Sequence, residues 1–580
     1  MYTRNTILKW LSVLLISLIL TNCGGGGGGT NNTATIGASV NTPSINDTTS
    51  TDNGTPNTGN DTNSEEDEFS SSEYKGLNFY YKNMPSSEYR LTQLTDASYN
   101  QLSQTQKLQV ADKLLSTLFF GYPLKEIQGK IASGSFIENI KSGLAIDKTD
   151  KEWLENYIID ADIFRQKSYN EQVAVDILTR FYAMEKLDSY FIQNWTAYIL
   201  TQTIMFSPAY ELESTHTPNI ARVYNRLVNM LEVESGMRYI TYVHMMSEDN
   251  WRRFRSPEDN GREMMEIFTL DMDDTHVPLA GQALKNWKLD RDSDTLVVSL
   301  NENRQPLSLF DTTIYNGDDF YREMAKSDLF TTGVTRRLVD FFFPNAAMEE
   351  KTQITNTIVS SKPETWQDIL LQIVFSEAYL LNSSRAKSAE ELFFPLAKKM
   401  DFKHRDSTLH DFKYALEEMH QASMKYKLGK LKRVPLDTLS FASYHKYIRE
   451  DIVLRKSNPS KLDDYDAWDR QGWDESFIAN ENFNFNADNE VASLNSLIHY
   501  IFKATISRTA TSAELTLFGE HMLVEEAGEQ TLYYTFDMFR ENDDPVKQKK
   551  YREDNKRNIA ILVLDYISRL SETYTLKEVN

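Results

Sequence analysis

The sequence predicts a mostly α-helical protein, and three observations carry the prediction. Apolar residues recur at helical spacing in segment after segment, strand-like alternation is nearly confined to one place, and glycines are few after Tyr74. Gln109–Phe120 is the clearest helix, with Val110, Leu114, Leu115 and Leu118 on one stripe. Trp153–Ile163, Glu171–Leu187, Ile220–Leu231, Thr365–Leu381, Ala389–Met400, His410–Met424 and Asn558–Leu570 show the same spacing. The exception is Thr295–Leu300, which alternates and has a possible partner near Leu307–Phe310; it predicts one small β-hairpin inserted near 290–312. Gly121-Tyr-Pro123, Ser207-Pro208, Phe343-Pro-Asn345 and Asn458-Pro459 punctuate the helices, and the polar run 458–489 reads as a loop region. No internal repeat suggests a solenoid. The body of about 500 residues exceeds one comfortable core, so the length predicts two or more lobes.

The N-terminus sets the expected address. Arg4 and Lys9 precede an apolar core, Leu11–Leu20, which is shorter than the roughly 20 residues a membrane-spanning helix needs. It leads into Leu20-Thr21-Asn22-Cys23, followed by six glycines, Gly24 to Gly29. Residues 1–22 therefore resemble a lipoprotein signal peptide. The resemblance implies that Cys23 is lipidated and becomes the first residue of the mature chain. Asn22 departs from the small residue usual before that cysteine. No Asp follows Cys23, so an inner-membrane retention signal is absent, and the outer membrane (its periplasmic face or the cell surface) is the expected location.

Residues 24–72 are Gly, Thr, Asn, Ser and acidic residues with almost no large apolar side chains. Such a segment buries too little surface to offset its chain entropy and is expected to be a disordered tether with a span of roughly 40 Å. The tether carries Asp47, Asp52, Asp61, Glu65, Glu66, Asp67 and Glu68 and no Lys or Arg. The whole chain has a net charge of -22, so the body is acidic as well. That balance argues against nucleic acid and against a basic patch for anionic lipid, and is compatible with cationic partners or metal ions. Cys23 is the only cysteine, which excludes disulfides and thiolate metal sites within this chain's body.

The most distinctive run is Glu258-Asp-Asn-Gly-Arg-Glu-Met-Met-Glu-Ile-Phe-Thr-Leu270. On a helix, Glu258, Asp259, Arg262, Glu263 and Glu266 fall within roughly 140° of arc, with Met264, Met265, Ile267 and Phe268 facing away. Arg262 lies four residues from both Glu258 and Glu266, a spacing that allows ion pairs along the helix. Ser256 suits the cap, Pro257 the first turn, and the early acids the helix dipole.

This run, as Glu258–Asp271, resembles the signature Glu-Asn-x-Ala-Arg-Glu-x-Met-Glu-Leu-Phe-Thr-Leu-Gly of the bacterial "domain of unknown function 1800" family. Further segments resemble that family in order: Leu114–Gly121, Ala280–Trp287, Tyr315–Asp319, Arg336–Phe342, Trp366–Tyr379 and Lys387–Glu391. The resemblance covers about 110 to 400 and is weaker to about 485. It implies a secreted, mainly helical core over 73–400, followed by a C-terminal helical region over 401–580, and it supplies no reaction. Three departures stand out. Phe191–Tyr198 lacks the family's histidines, Asp271 replaces a Gly, and the Gly-Trp-Pro-Gly segment survives only as Gln471-Gly-Trp473.

The chemistry-bearing residues permit two readings. Asp259, Glu263 and Glu266 have the oxygen donors a divalent cation takes, and with Arg262 they could serve acid–base chemistry. The same residues could instead form a structural network against Arg336 or Arg337, or a solvated face. Asp290–Thr295 imitates a calcium loop but lacks its Gly, and Asn301 stands in place of its last Glu, so it reads as an acidic lead-in to the hairpin. Asp318-Asp319 are expected to cap a helix beginning at Phe320. His244 and His276 flank the acidic helix, and Phe341–Phe343 and Tyr533–Phe536 read as core faces. No His-Glu-x-x-His, Gly-x-Ser-x-Gly, phosphate loop or dinucleotide fingerprint occurs. The first functional expectation is a membrane-tethered binding or assembly protein with an envelope protein or glycan partner. The second is a metal-assisted envelope hydrolase centred on Asp259, Arg262, Glu263 and Glu266.

Overall fold

Where the apolar spacing predicts helices and the residues are described, helices form. The computed structural model describes residues 89–146, 177, 181, 184–205, 220–254, 256–271, 273–290, 293, 295–298, 305–399, 416, 438–447, 490–526, 529–532, 544, 559–560 and 562–579. Cys23, the tether, Trp153–Ile163, most of Glu171–Leu187, nearly all of His410–Met424, the 458–489 run and Tyr533–Phe536 lie outside them.

In chain order the helices are α1 (Asp96–Asn100), α2 (Gln104–Thr117), α3 (Leu124–Ala132), α4 (Phe136–Leu144), α5 (Ser189–Thr203), α6 (Ile220–Glu232), α7 (Met237–Met245), α8 (Glu248–Trp251), α9 (Pro257–Thr269) and α10 (Val277–Leu284). They continue as α11 (Gly317–Lys326), α12 (Asp328–Phe342), α13 (Met348–Ser360), α14 (Trp366–Val374), α15 (Glu377–Leu380), α16 (Ala389–Lys399), α17 (Thr438–Tyr447), α18 (Glu490–Ile506), α19 (Ser512–Met522) and α20 (Ser571–Tyr574). Thr365–Leu381, expected as one helix, is two. Ser376 caps α15 through the Tyr379 N–H, and the break lets Phe375 O accept from Leu94 N at 2.8 Å.

The strands correct the predicted hairpin. Thr295–Val297 (β2) pairs with Lys288–Asp290 (β1), and Leu307–Leu309 (β3) pairs with Thr312–Ile314 (β4), so the two expected partners do not pair with each other. Each strand finds its neighbour across a short turn; Phe310 and Asp311 turn the second hairpin with positive φ angles of 55° and 58°. Two further antiparallel pairs were not anticipated. Leu523–Glu526 (β6) pairs with Glu529–Leu532 (β7), and Arg385–Ala386 (β5) with Thr575–Leu576 (β8).

The last of these pairs joins the C-terminal strand to the middle of the chain. Among the described residues, buried apolar side chains form one cluster from Leu94 to Tyr574. Both ends of the described chain return to the α13–α15 region. Tyr89 O accepts from Thr357 Oγ1, and Val579 N donates to Leu381 O. From α2, Lys113 Nζ donates to Ser383 O at 2.5 Å and to Lys577 O at 3.1 Å, tying α2 to both the β5 approach and the C-terminal strand.

A buried ion pair organises that meeting point. Arg385 donates two bonds to the Glu391 carboxylate, of 2.7 and 2.5 Å. Glu391 also accepts from Ser388 N at 2.7 Å, while Ser388 Oγ accepts from Glu391 N, so the pair is built into a capping box at the start of α16. Arg385 donates to Tyr379 OH at 2.7 Å, and that hydroxyl bonds Thr117 of α2. Phe341–Phe343 pack as core, as expected, with Arg385 over the Phe341 and Phe342 rings. Nearby, Gly121 approaches α16 so closely that a Cβ would lie 2.5 Å from Pro395 O.

Glu391→Gln strands the Arg385 charge in the interior and should cost about 3–5 kcal/mol in urea unfolding, whereas Arg385→Met combined with Glu391→Met should recover much of that loss.

Candidate functional site

The acidic helix α9 forms because its start and its buried face agree. Ser256 Oγ accepts from Asp259 N at 3.1 Å, Pro257 occupies the first turn, and Glu258 and Asp259 follow. Met264, Met265, Ile267 and Phe268 are buried, as their arc predicts. Asn260, on the same side, is buried too and accepts from Tyr321 OH of α11 at 2.6 Å. Trp287, which follows α10, stacks on Trp251 and meets Tyr321 edge-on, so the quoted signature segments lie against one another.

The far end of α9 is held by α12. Gly333 lies against it: a Cβ there would come within 2.8 Å of Thr269 Cα. Arg337 donates from Nε to Ile267 O at 2.9 Å and from Nη2 to Glu266 O at 2.6 Å, covering carbonyls the helix leaves open. Leu270 then ends the helix in the left-handed region at φ 56°, a conformation that costs an L-residue roughly 1–2 kcal/mol. Of the two expected arginines, Arg337 buttresses α9, through backbone rather than carboxylates. Arg336 instead pairs with Asp340 at 3.2 Å within its own helix.

On the charged face the structure brings Asp259, Arg262 and Glu263 together and leaves Glu266 apart. Arg262 Nη2 lies 3.1 Å from Asp259 Oδ1 and 3.8 Å from Glu263 Oε1. The pairing expected with Glu258 and Glu266 is therefore replaced by shorter-range contacts. Glu263 sits at the edge of the charged arc beside Ile267 and is buried, while Arg262 is over half exposed. An arginine placed between two of the three proposed ligands competes with a cation. Among the described residues no three His, Cys, Asp or Glu side chains gather closely enough to hold a metal ion.

The flanking histidines separate. His276 Nδ1 lies 2.6 Å from Asp271 Oδ2, beside the α10 start. His244 is buried on α7 with its ring against Phe268 of α9. Burial, and then Arg226 and Arg253, push His244 down to about 3, so it is neutral. Next to it Asp249 accepts from Arg222 at 2.7 and 2.6 Å and from Arg226 at 3.0 Å, a fork that pins α6 to α8.

One local expectation is corrected. Asn316, not Asp318 or Asp319, caps α11, accepting from Asp319 N at 3.0 Å, and Asp319 accepts in return from Tyr315 N. Asp318 instead holds Arg322 at 2.5 Å and Tyr242. Asp290 lies in β1 and accepts from Ser293 N, consistent with the hairpin reading.

The buried Arg385–Glu391 centre went unread in the sequence, although Lys387–Glu391 was singled out. Its legible signal was Ser388-x-x-Glu391, the spacing of a capping box. No protein-family model, curated protein or solved structure matches this chain.

Arg337→Met should destabilise the fold by about 1–3 kcal/mol by uncovering two carbonyls, whereas Arg262→Ala, at an exposed pair, should change it by less than about 1 kcal/mol; urea titration separates the two. Gly333→Ala should cost about 1–3 kcal/mol through overpacking against α9. Because the unfolded His244 takes its proton near 6.5 and the folded one only near 3, the stability it contributes is complete above about 6.5 and is lost as pH falls between those values. Acid unfolding of His244→Gln should show a shallower fall over that window than the native chain.

Proposed function

We propose that the chain is an envelope-anchored helical lipoprotein that works as a binding or assembly protein at the outer membrane, and that it is a divergent relative of the domain-of-unknown-function-1800 family. The observation that carries the anchor is Cys23 itself, the only cysteine, set directly after a basic and apolar leader and directly before six glycines. Multiple acyl chains on such a residue, at roughly 0.8 kcal/mol per buried methylene, hold a protein at a membrane without a spanning helix. No helix among the described residues is long and apolar enough to cross a membrane.

The family reading draws support from where the quoted segments go. Glu258–Asp271, Ala280–Trp287, Tyr315–Asp319 and Arg336–Phe342 supply α9, α10, the start of α11 and the end of α12, which pack on one another. The binding reading draws support from the charged face of α9. Asp259, Glu263 and Arg262 are engaged with one another along the helix, its apolar side is core, and Arg337 locks its end. That arrangement stiffens a helix and offers an exposed polar face to a protein or glycan partner. The metal-assisted hydrolase draws less support, because Arg262 lies between Asp259 and Glu263.

A Cys23→Ala variant should take up no radiolabelled fatty acid and should leave the membrane fraction; continued labelling would refute lipidation at this residue. Thermal unfolding of the purified chain should not shift on adding Ca2+, Mg2+ or Zn2+. A saturable stabilisation abolished by Glu263→Ala would restore the hydrolase reading.

A further inference from the structure

Under the C-terminal strand lies a lysine whose amine faces carbonyls where a carboxylate would be expected. Lys113 of α2 is 2% exposed. Its Nζ donates to Ser383 O at 2.5 Å, to Ser383 Oγ at 3.3 Å and to Lys577 O at 3.1 Å, with the Tyr379 ring 5.2 Å away. Among the described residues no carboxylate reaches it within ion-pair distance. The acids around it are engaged or remote. Asp112, on α2 itself, holds Lys399 of α16, and Glu391 of α16 holds Arg385 of β5. Glu578, just past β8, is exposed. Arg385 adds a like charge that opposes protonation of Lys113, and Glu578 favours it from a distance. Lys387, which follows β5, is a second buried lysine.

Three segments enclose this amine, and they differ in how firmly they are held. Leu114, Leu115 and Leu118 fix α2 in the core. Ser383 is tied back to α15, its hydroxyl donating to Tyr379 O at 2.7 Å, and the buried Arg385 follows two residues later. The C-terminal strand has fewer ties. β8 pairs over two residues, Tyr574 O accepts from Lys387 N at 2.8 Å, and Val579 N donates to Leu381 O at 2.9 Å. Local opening draws on such sparsely bonded segments. Lifting residues 575–579 takes Lys577 O away from Nζ and admits water to the amine.

We propose that Lys113 makes the docking of the C-terminal strand sensitive to protons: a charged amine favours lifting of residues 575–579, and a neutral amine favours their closure. Two carbonyls and a hydroxyl do not fully replace the hydration of a buried ammonium, whereas water restores it once the strand lifts. Burial, and then Arg385, lower Lys113 to about 7 in the docked chain, against 10.5 for an ordinary lysine. Because the docked value is the depressed one, docking is tightest above about 10.5, weakens as pH falls toward 7 and changes little below it. Within that window one proton changes the opening equilibrium by at most about tenfold per pH unit.

The test is hydrogen exchange of the full chain between about pH 7 and 8.5, the lower part of that window, read by mass spectrometry on peptides covering 575–579 and, for comparison, α9. Protection is referred to the denatured chain in the same buffers, which removes the ordinary pH dependence of exchange. Protection of 575–579 should rise by about five-fold or more across this range, and that of α9 by less than about two-fold. Lys113→Met, which keeps the length of the side chain and removes its titration, should flatten the 575–579 profile to within about two-fold. A flat or falling profile in the native chain would overturn the proposal, and so would an equal rise in α9, which would make the change global. A profile as steep in Lys113→Met as in the native chain would assign the effect to another buried lysine, such as Lys387, and overturn it too. Lys113→Gln takes the place of Lys113→Met should that variant not fold, and the native profile decides should neither fold.

Discussion

The bidentate contact between Arg385 and Glu391 is the constraint on which the rest of this body depends. Both side chains are almost wholly buried, and a guanidinium in the interior tolerates only a partner that satisfies its fork. Satisfying it requires Tyr379 from α15, Ser388 at the start of α16 and, through Tyr379, Thr117 from α2. The backbone on either side of the pair is then placed for β5 to meet β8. One electrostatic requirement thereby brings an early helix, a mid-chain turn and the C-terminal strand to one point.

The acidic helix is positioned by that core without belonging to the same centre. Its apolar side and Asn260 join α9 to α10 and α11, and Arg337 ties its end to α12. What is left on the outside is a short run of opposite charges in mutual contact. Exposed pairs of this kind contribute little to stability.

Much of this was legible. The arc argument separated the buried Met264, Met265, Ile267 and Phe268 from the charged side of α9, and Ser256 capped it as its residue type predicts. The charge pairing was misread because spacing along a helix names the possible neighbours and not the rotamers. Arg262 turned toward Asp259 and Glu263 rather than toward residues four places away. The hairpin was misread for a related reason: alternation marks a strand without naming its partner, and the nearest chain segment won each time.

The sequence by itself determined the helical class, the place of several of the described helices, and the capped acidic helix with its buried face. These depend on neighbours within a few residues, where periodicity and capping chemistry act directly. Only the tertiary structure decided the single buried cluster of the described residues, the β5–β8 closure, the buried Arg385–Glu391 pair and the enclosed amine of Lys113. Each of those depends on which distant side chains share a low-dielectric interior, and desolvation is a property of the assembled surroundings, which no local spacing encodes.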